Sequence, residues 1–379
     1  MVARRARSIV LQFDPARDAL PSGKRLSEGI SAAFAVDGTL WLTHDETVTI
    51  ERLGIERSGA RSVRFARHRR FDLGELLPLP VPRPRPGERS VPEADLEGIA
   101  YCDGYLWVAG SHSALRDGRD AIDELARVRR AGNRFLLARI PVATDGDDGP
   151  RLVPRYRSDD GRVLRAARLA GGPKNNALTH ALRDDPLLGP FLAIPSKDNG
   201  FDIEGLAAAP DGRLFLGLRG PVIDGLACVL EIHVAEHRDR RDSLALRKLA
   251  RSAAAPTVRA LYRKHLLDLG GAGIRDLCLA GRDLLVLTGP PMRGKGQSKV
   301  RLWRNALATR GERMLRDDDL PTLLELPYRE KKDHAEAITV VGRRRNLLLV
   351  LVIHDSVARH RRVPPAGMRA TLHALTVPR

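Results

Sequence analysis

Acidic residues open several short apolar stretches of this chain: Ser-Glu-Gly-Ile at 27–30, Leu-Glu-Gly-Ile at 96–99, Asp-Ile-Glu-Gly-Leu at 202–206 and Ala-Glu-Ala-Ile at 335–338. Carboxylates start strands poorly, so their position before runs that should be buried asks for a reason. Glu28, Glu97, Glu204 and Glu336, with Asp202 beside the third, carry the oxygen donors that suit Ca²⁺, Mg²⁺ or Mn²⁺. A related stretch, Ile-Arg-Asp-Leu at 274–277, sets Arg275 where the others have Glu. Arg275, Arg219 and Lys197 are the cations expected to contact an anion. His112 in Gly-Ser-His-Ser and His354 in Val-Ile-His-Asp titrate near neutral pH and are the candidates for moving a proton. Together these residues point to a cation-dependent site that binds or hydrolyses a small anionic ligand such as a phosphate ester, with phosphoesterase- or lactonase-like chemistry. A purely architectural reading stands beside it. Each Glu would accept backbone N–H groups from a neighbouring repeat, and the Gly after it would allow close backbone approach.

The elements that position these residues follow from internal similarity. Five stretches share a polar opening, an apolar strand, a tight turn and a second apolar strand: 27–46, 96–113, 203–220, 274–290 and 335–355. Asp-Gly at 37–38, 103–104 and 211–212 is a hairpin turn signal. Third strands are predicted at 47–53, 134–142, 227–234, 299–305 and 371–379. Fourth strands are predicted at 69–77, 190–196, 262–269 and 321–327. The last unit lacks a fourth strand, and residues 8–15 at the other end supply it.

This pattern predicts an all-β fold: one β-propeller domain over 1–379, with four-stranded blades near 27–77, 96–196, 203–269, 274–327 and 335–379 plus 8–15. Isolated four-stranded blades cannot bury their faces, whereas stacking around an axis does so. A sixth blade fits the long interval between Glu97 and Glu204, but the strand patterns there are each used once, so five are expected. Short helices are expected in 162–189, from VLRAARLAGG and NNALTHALRDDP, and helical or mobile chain in 236–258. In an antiparallel hairpin the start of the first strand and the end of the second share an edge. The strand-opening acids, His112, His354, Arg219 and Lys197 are therefore expected at one mouth of the channel.

Composition narrows the function classes. The 379 residues are 43% hydrophobic, enough for a full core, and no uncharged apolar run is long enough to span a membrane. The N-terminus shows no secretory signal, and Cys102, Cys228 and Cys278 form no disulfide framework or C-x-x-C motif. A cytoplasmic monomer is the expectation. The net charge of +17 comes mostly from arginine, since Lys supplies 9 of the 64 basic residues, and these are spread along the chain. Nonspecific polyanion binding at low salt is expected, whereas 4% aromatic content gives little for stacking nucleic-acid bases. A noncatalytic scaffold binding protein or nucleic acid through propeller faces and basic loops is the rival reading. GPPMRGKG at 289–296 fits seven positions of a phosphate loop, but Gly296 replaces the Ser/Thr and a strand follows, so it reads as a hairpin loop.

The stretches LEGIAYCDGYLWVAGSHS, NGFDIEGLAAAPDGRLFLGLRGP and AGIRDLCLAGRDLLVLTGPP resemble an uncharacterised bacterial domain-of-unknown-function family, DUF3616. The resemblance runs through most of the chain and implies a propeller-like fold with no established activity. The Asp-x-Glu-Gly openings are also distantly similar to those of esterase-like phytase propellers.

Overall fold

The structure is a computed structural model, and its description covers residues 6–20, 22–58, 62–82, 93–118, 120–146, 148–249, 260–292, 296–327 and 332–378. The chain opens with β1 (Arg7–Gln12) and the single turn α1 (Pro15–Asp18). The first meander is β2 (Ile30–Val36), β3 (Thr39–His44), β4 (Thr49–Ser58) and β5 (Ser62–Asp72), each antiparallel to the next. Asp37 and Gly38 both take positive φ at its first turn, as a tight hairpin requires, and Asp103–Gly104 repeats this in the next unit. The outer strand lies at 62–72 rather than 69–77, because residues after Phe71 turn into α2 (Leu73–Leu76), capped by the Asp72 carboxylate accepting from Gly74 N–H at 2.8 Å.

The second meander begins with β6 (Leu96–Cys102) and β7 (Tyr105–Gly110). An excursion of β8 (Ala114–Arg116), α3 (Ile122–Ala126) and β9 (Val128–Arg130) precedes its third strand, β10 (Leu137–Ala143). Short β11 (Arg151–Leu152), β12 (Arg155–Arg157) and β13 (Val163–Arg165) lead to β14 (Ala167–Leu169), which pairs with β10. The expected strand at 190–196 is instead a 3-10 turn over Gly189–Ala193 entered through Pro190, and β14 takes the outer position. VLRAARL, expected as helix, forms β13 and β14, since Ala167 and Leu169 alternate inward around Arg168. The second expected helix is present as α4 (Ala177–Leu182), with Asn176 as its N-cap.

The third meander is β15 (Asp202–Ala208), β16 (Arg213–Gly220) and β17 (Leu226–Glu236), whose far edge pairs with β18 (Ser243–Arg247) and then β19 (Tyr262–Asp268) along different segments. The segment 236–258 thus contains a strand, while 250–259 lies outside the described residues. The fourth is β20 (Gly273–Ala280), β21 (Asp283–Gly289) and β22 (Lys299–Trp303), followed by short β23 (Arg313–Leu315) and then β24 (Thr322–Glu325), which pairs with β22. The phosphate-loop-like stretch joins β21 to β22, and its residues 293–295 lie outside the described ones. The last is β25 (His334–Arg344), β26 (Leu347–Asp355), short β27 (Arg362–Val363) and β28 (Gly367–Thr376). β1 completes it by pairing antiparallel with β28, and touches β5 in parallel. The N-terminal strand therefore fastens the end of the chain to its beginning, as expected.

Each first strand packs on the next, β2 on β6, β6 on β15, β15 on β20, β20 on β25, and β25 back on β2, so the sheets close around an axis as a β-propeller. The cores lie between neighbouring sheets: Trp41 with Leu96 and Leu106, Phe215 with Ile274 and Leu284, Leu42 with Ile353 and Met368. Polar pins cross the same seams. Thr339 Oγ1 accepts Ala35 N–H at 2.8 Å, and the Asp276 carboxylate accepts Leu277 and Ile338 N–H, both at 2.8 Å. The glycine after the acid does allow close approach. A Cβ on Gly98 would lie 2.6 Å from Leu206 Cβ, and one on Gly205 2.9 Å from Leu277 N. No helix among the described residues is long and apolar enough to cross a membrane.

Candidate functional site

The first and second strands of each unit do meet at one edge, as in Ile30 with His44, Leu96 with Gly110, Asp202 with Gly220 and His334 with Asp355. Just inside that edge every first strand is interrupted. The register skips one residue at Ser31, Glu97, Glu204, Arg275 and Glu336. A bulge of this kind leaves one residue outside the ladder and re-aims its side chain. Because the first strands form the closed inner ring, these bulges gather Ser, Glu, Glu, Arg and Glu around its mouth. Glu28 is not part of the set. It ends a 3-10 turn before β2 and pairs with Arg362 at 3.2 Å. Ser31 holds its place, donating to Leu96 C=O and lying 3.2 Å from Thr43 Oγ1.

Half of the mouth is a continuous charge chain. Arg219, from the end of β16, bridges Asp202 and Glu204. Arg275 reaches the other Glu204 oxygen at 3.0 Å and grips Glu336 with two nitrogens, Nε donating at 2.7 Å. Glu204 is 3% exposed. Burial pushes its carboxyl up, against the pull of the two guanidinium groups. The chain spans three neighbouring sheets, so it acts across seams as the architectural reading expected. Its acceptors are paired to arginine rather than to backbone N–H. Arg134 does similar work behind the second sheet, with Asp95 and Glu93 each at 2.6 Å and Ser113 Oγ at 2.8 Å.

The other half is acid-rich. Glu97 has no hydrogen bond or ion pair among the described residues, and Arg219 and Arg275 act on it only at longer range. Burial first, then Asp95, Glu204, Asp45 and Asp202, push its carboxyl well above the ordinary range. Burial and the nearby Glu336 and Asp45 push Asp355 up to about 6, despite hydrogen bonds from Ser356. Burial raises Asp95 to about 6 even beside Arg134. Among the described residues no three His, Cys, Asp or Glu side chains converge so as to hold a metal ion. The expected ligand set of Glu28, Glu97, Glu204, Glu336 and Asp202 is split by Arg219 and Arg275, with Glu28 outside it.

The two candidate histidines are buried and apart. His112 Nδ1 donates to Gly110 C=O at 2.7 Å, and Nε2 accepts from Asn176 Nδ2 at 2.7 Å. Burial lowers its pKa to about 4, so it is neutral with both nitrogens engaged. His354 accepts from Arg361 at 3.4 Å, and burial, with Arg361 adding to it, lowers its pKa to about 3. His112 has both ring nitrogens engaged, whereas His354 Nδ1 is buried without a hydrogen-bond partner among the described residues. His44, at the matching strand end of the first unit, accepts Glu46 N–H at 3.0 Å and packs where a Cβ on Gly29 would lie 2.4 Å from its Nε2. Lys197 is exposed on a groove beside the Arg116–Asp198 ion pair, outside the ion pairs of the charge chain but near enough to Asp202 to favour its charged form.

Sequence reasoning missed Ser31 and the bulges, and the signal was available. Counting back six residues from the Asp-Gly turns at 37 and 103 gives Ser31 and Glu97, whereas aligning on Glu-Gly-Ile selects Glu28.

The family described as "Protein of unknown function (DUF3616)" matches residues 29–370, and the chain belongs to it. No curated protein matches the sequence. Among solved structures, glutaminyl cyclase of Myxococcus xanthus is similar at 10% identity, covering 97% of each chain with a TM-score of 0.37. The PQQ-bound aldose sugar dehydrogenase of Streptomyces coelicolor is similar at 14% identity, covering 98% of this chain and 100% of that one, with a TM-score of 0.34. The Cps50 (Swd1) β-propeller domain of Myceliophteria thermophila is similar at 9% identity over 90% of this chain and 96% of that one, with a TM-score of 0.31. At these values none of them bears on activity.

Proposed function

We propose that this propeller is a small-molecule binding protein whose ring mouth takes an organic cation, an ammonium or guanidinium group, on Glu97. The observation that carries this reading is the isolation of Glu97. It is the one bulged acid with neither an ion pair nor a hydrogen bond among the described residues; Arg219 and Arg275 act on it only at longer range, and Asp95, Glu204, Asp45 and Asp202 around it add negative potential. A cation entering there supplies the charge that Arg275 supplies to Glu204 and Glu336. The anionic-ligand and phosphate-ester readings have less support, because Arg219 and Arg275 would have to leave buried carboxylates first. A divalent metal has less support because the acids do not converge in threes among the described residues.

The test is a thermal-shift and calorimetric titration of the full chain with primary amines, diamines and guanidinium compounds, with Ca²⁺, Mg²⁺, Mn²⁺ and phosphate as comparators. A bound cation at 100 times its dissociation constant adds roughly 2.7 kcal/mol. Glu97 is expected to release a proton on binding, so affinity should rise with pH across the raised pKa and vanish in Glu97→Gln. A saturable response to phosphate alone, lost in Arg219→Gln and kept in Glu97→Gln, would sink the proposal and restore the anion reading.

A further inference from the structure

Away from the charge chain, a cavity of about 120 Å³ opens between β9, α4 and the Gly189–Ala193 turn. Its floor is His112, edge-on to Phe135 with ring centroids 5.9 Å apart, and Leu192 forms one wall. Arg130, Arg183 and Asn175 line its rim. Arg130 is steadied by one hydrogen bond, Nη1 donating to Lys174 C=O at 3.1 Å, and its remaining donors are uncommitted. Arg183 and the Asn175 side chain have no partner among the described residues, and neither arginine is paired with a carboxylate. Among the described residues no acid lines this cavity. Two larger cavities differ in this respect: one of about 370 Å³ sets Asp198 beside Arg116 and Lys197, and one of about 760 Å³ sets Asp318 and Asp319 beside Arg304 and Arg313.

We infer that the cavity beside His112 is a binding site for a tetrahedral oxyanion, a phosphoryl group in particular. Two guanidinium groups can each present a pair of N–H donors to adjacent oxygens of one anion, and Asn175 adds amide donors. The neutral floor excludes water from one side without adding charge. The size admits one phosphoryl group and leaves any organic substituent outside, so free phosphate and a phosphomonoester share the same contacts. This site is independent of the cation proposed at Glu97.

The experiment is calorimetric titration of the full chain with inorganic phosphate and with phenyl phosphate at constant ionic strength. Wild type, Arg130→Gln, Arg183→Gln and Arg57→Gln are compared, the last removing one exposed charge elsewhere. The expected result is saturable binding that weakens at least tenfold in Arg130→Gln and in Arg183→Gln and is unchanged in Arg57→Gln. All three variants should keep the wild-type melting temperature in phosphate-free buffer, which separates lost binding from lost folding. Phenyl phosphate binding at least as well as phosphate assigns the site to a phosphorylated ligand, and weaker binding of the ester assigns it to the free anion. Equal weakening in all three variants, or no saturable binding, overturns the inference and leaves only the diffuse attraction of a basic surface.

Discussion

Replacing Arg275 by Met tests whether the charge chain fastens the propeller across its seams. The guanidinium is the fork that holds Glu336 and the second contact of Glu204, with side chains 15%, 13% and 4% exposed respectively. Removing one partner of a buried pair costs about 3–5 kcal/mol, because the other charge stays behind without compensation. Glu204 keeps Arg219, and Glu336 is part-exposed, so the lower end, about 3 kcal/mol, is expected. The cost should depend on pH. Losing Arg275 raises further a Glu204 pKa that burial has already raised. A carboxyl with a raised folded pKa favours folding below its unfolded value and loses that contribution as pH rises through the folded one. The penalty should therefore be larger at pH 8 than at pH 5. Urea unfolding of wild type, Arg275→Met, Glu336→Gln and the double variant, at both pH values, reads the coupling. The double variant should be less destabilised than the sum of the singles by about 1–3 kcal/mol. Additivity within about 0.5 kcal/mol, at both pH values, would refute the claim that this fork holds the sheets together.

Two further outcomes follow from the same geometry. His112, neutral with its pKa lowered to about 4 from 6.5, contributes up to about 3 kcal/mol at neutral pH. That contribution is lost as pH falls from about 6.5 towards 4, and His112→Gln should flatten the melting temperature against pH in that window; an unchanged slope would show that His112 is not its source. Gly98→Ala forces a Cβ to 2.6 Å from Leu206 Cβ across the seam and should cost about 1–3 kcal/mol. Gly172→Ala, with nothing within 4 Å, is the control and should change stability by less than about 0.5 kcal/mol in urea melts.

The hairpins and the closing strand were legible because their signals are local and strong. Asp-Gly at 37–38 and 103–104 takes the positive φ pair that such turns need, and residues 8–12 are a short apolar run that completes the last unit by pairing with β28. The second unit was misread where strands shrink to three residues. Ala-Arg-Leu at 167–169 has helix formers, and its pairing with β10 and β18 makes it a strand. The surroundings of the histidines were not legible for a different reason. His112 sits at the end of β7 where a catalytic base would be useful, but the Asn176 that occupies its Nε2 comes from 64 residues downstream, and no local pattern announces that contact. The bulges were invisible to hydrophobic periodicity because they occur at polar positions before the apolar run begins.

Those bulges answer why acids open the strands. A regular first strand would fix the strand-opening side chain to one face of its sheet; a bulge frees it at the cost of a ladder bond, and here the same defect appears in each of the first strands. Its repetition belongs to the architecture, and the residue placed there differs from sheet to sheet. Glu204, Arg275 and Glu336 are consecutive around the ring and neutralise one another, so at these positions the acids serve stability. Glu97 follows Ser31, which carries no charge and donates to backbone, so it has no ion pair in the ring and feels Arg219 and Arg275 only at longer range. The alternatives posed by the sequence, structural pin or binding group, therefore separate by position. The sector where arginine completes the pattern reads as the fastening, and the sector where it does not pair with Glu97 is where we propose that an external cation binds.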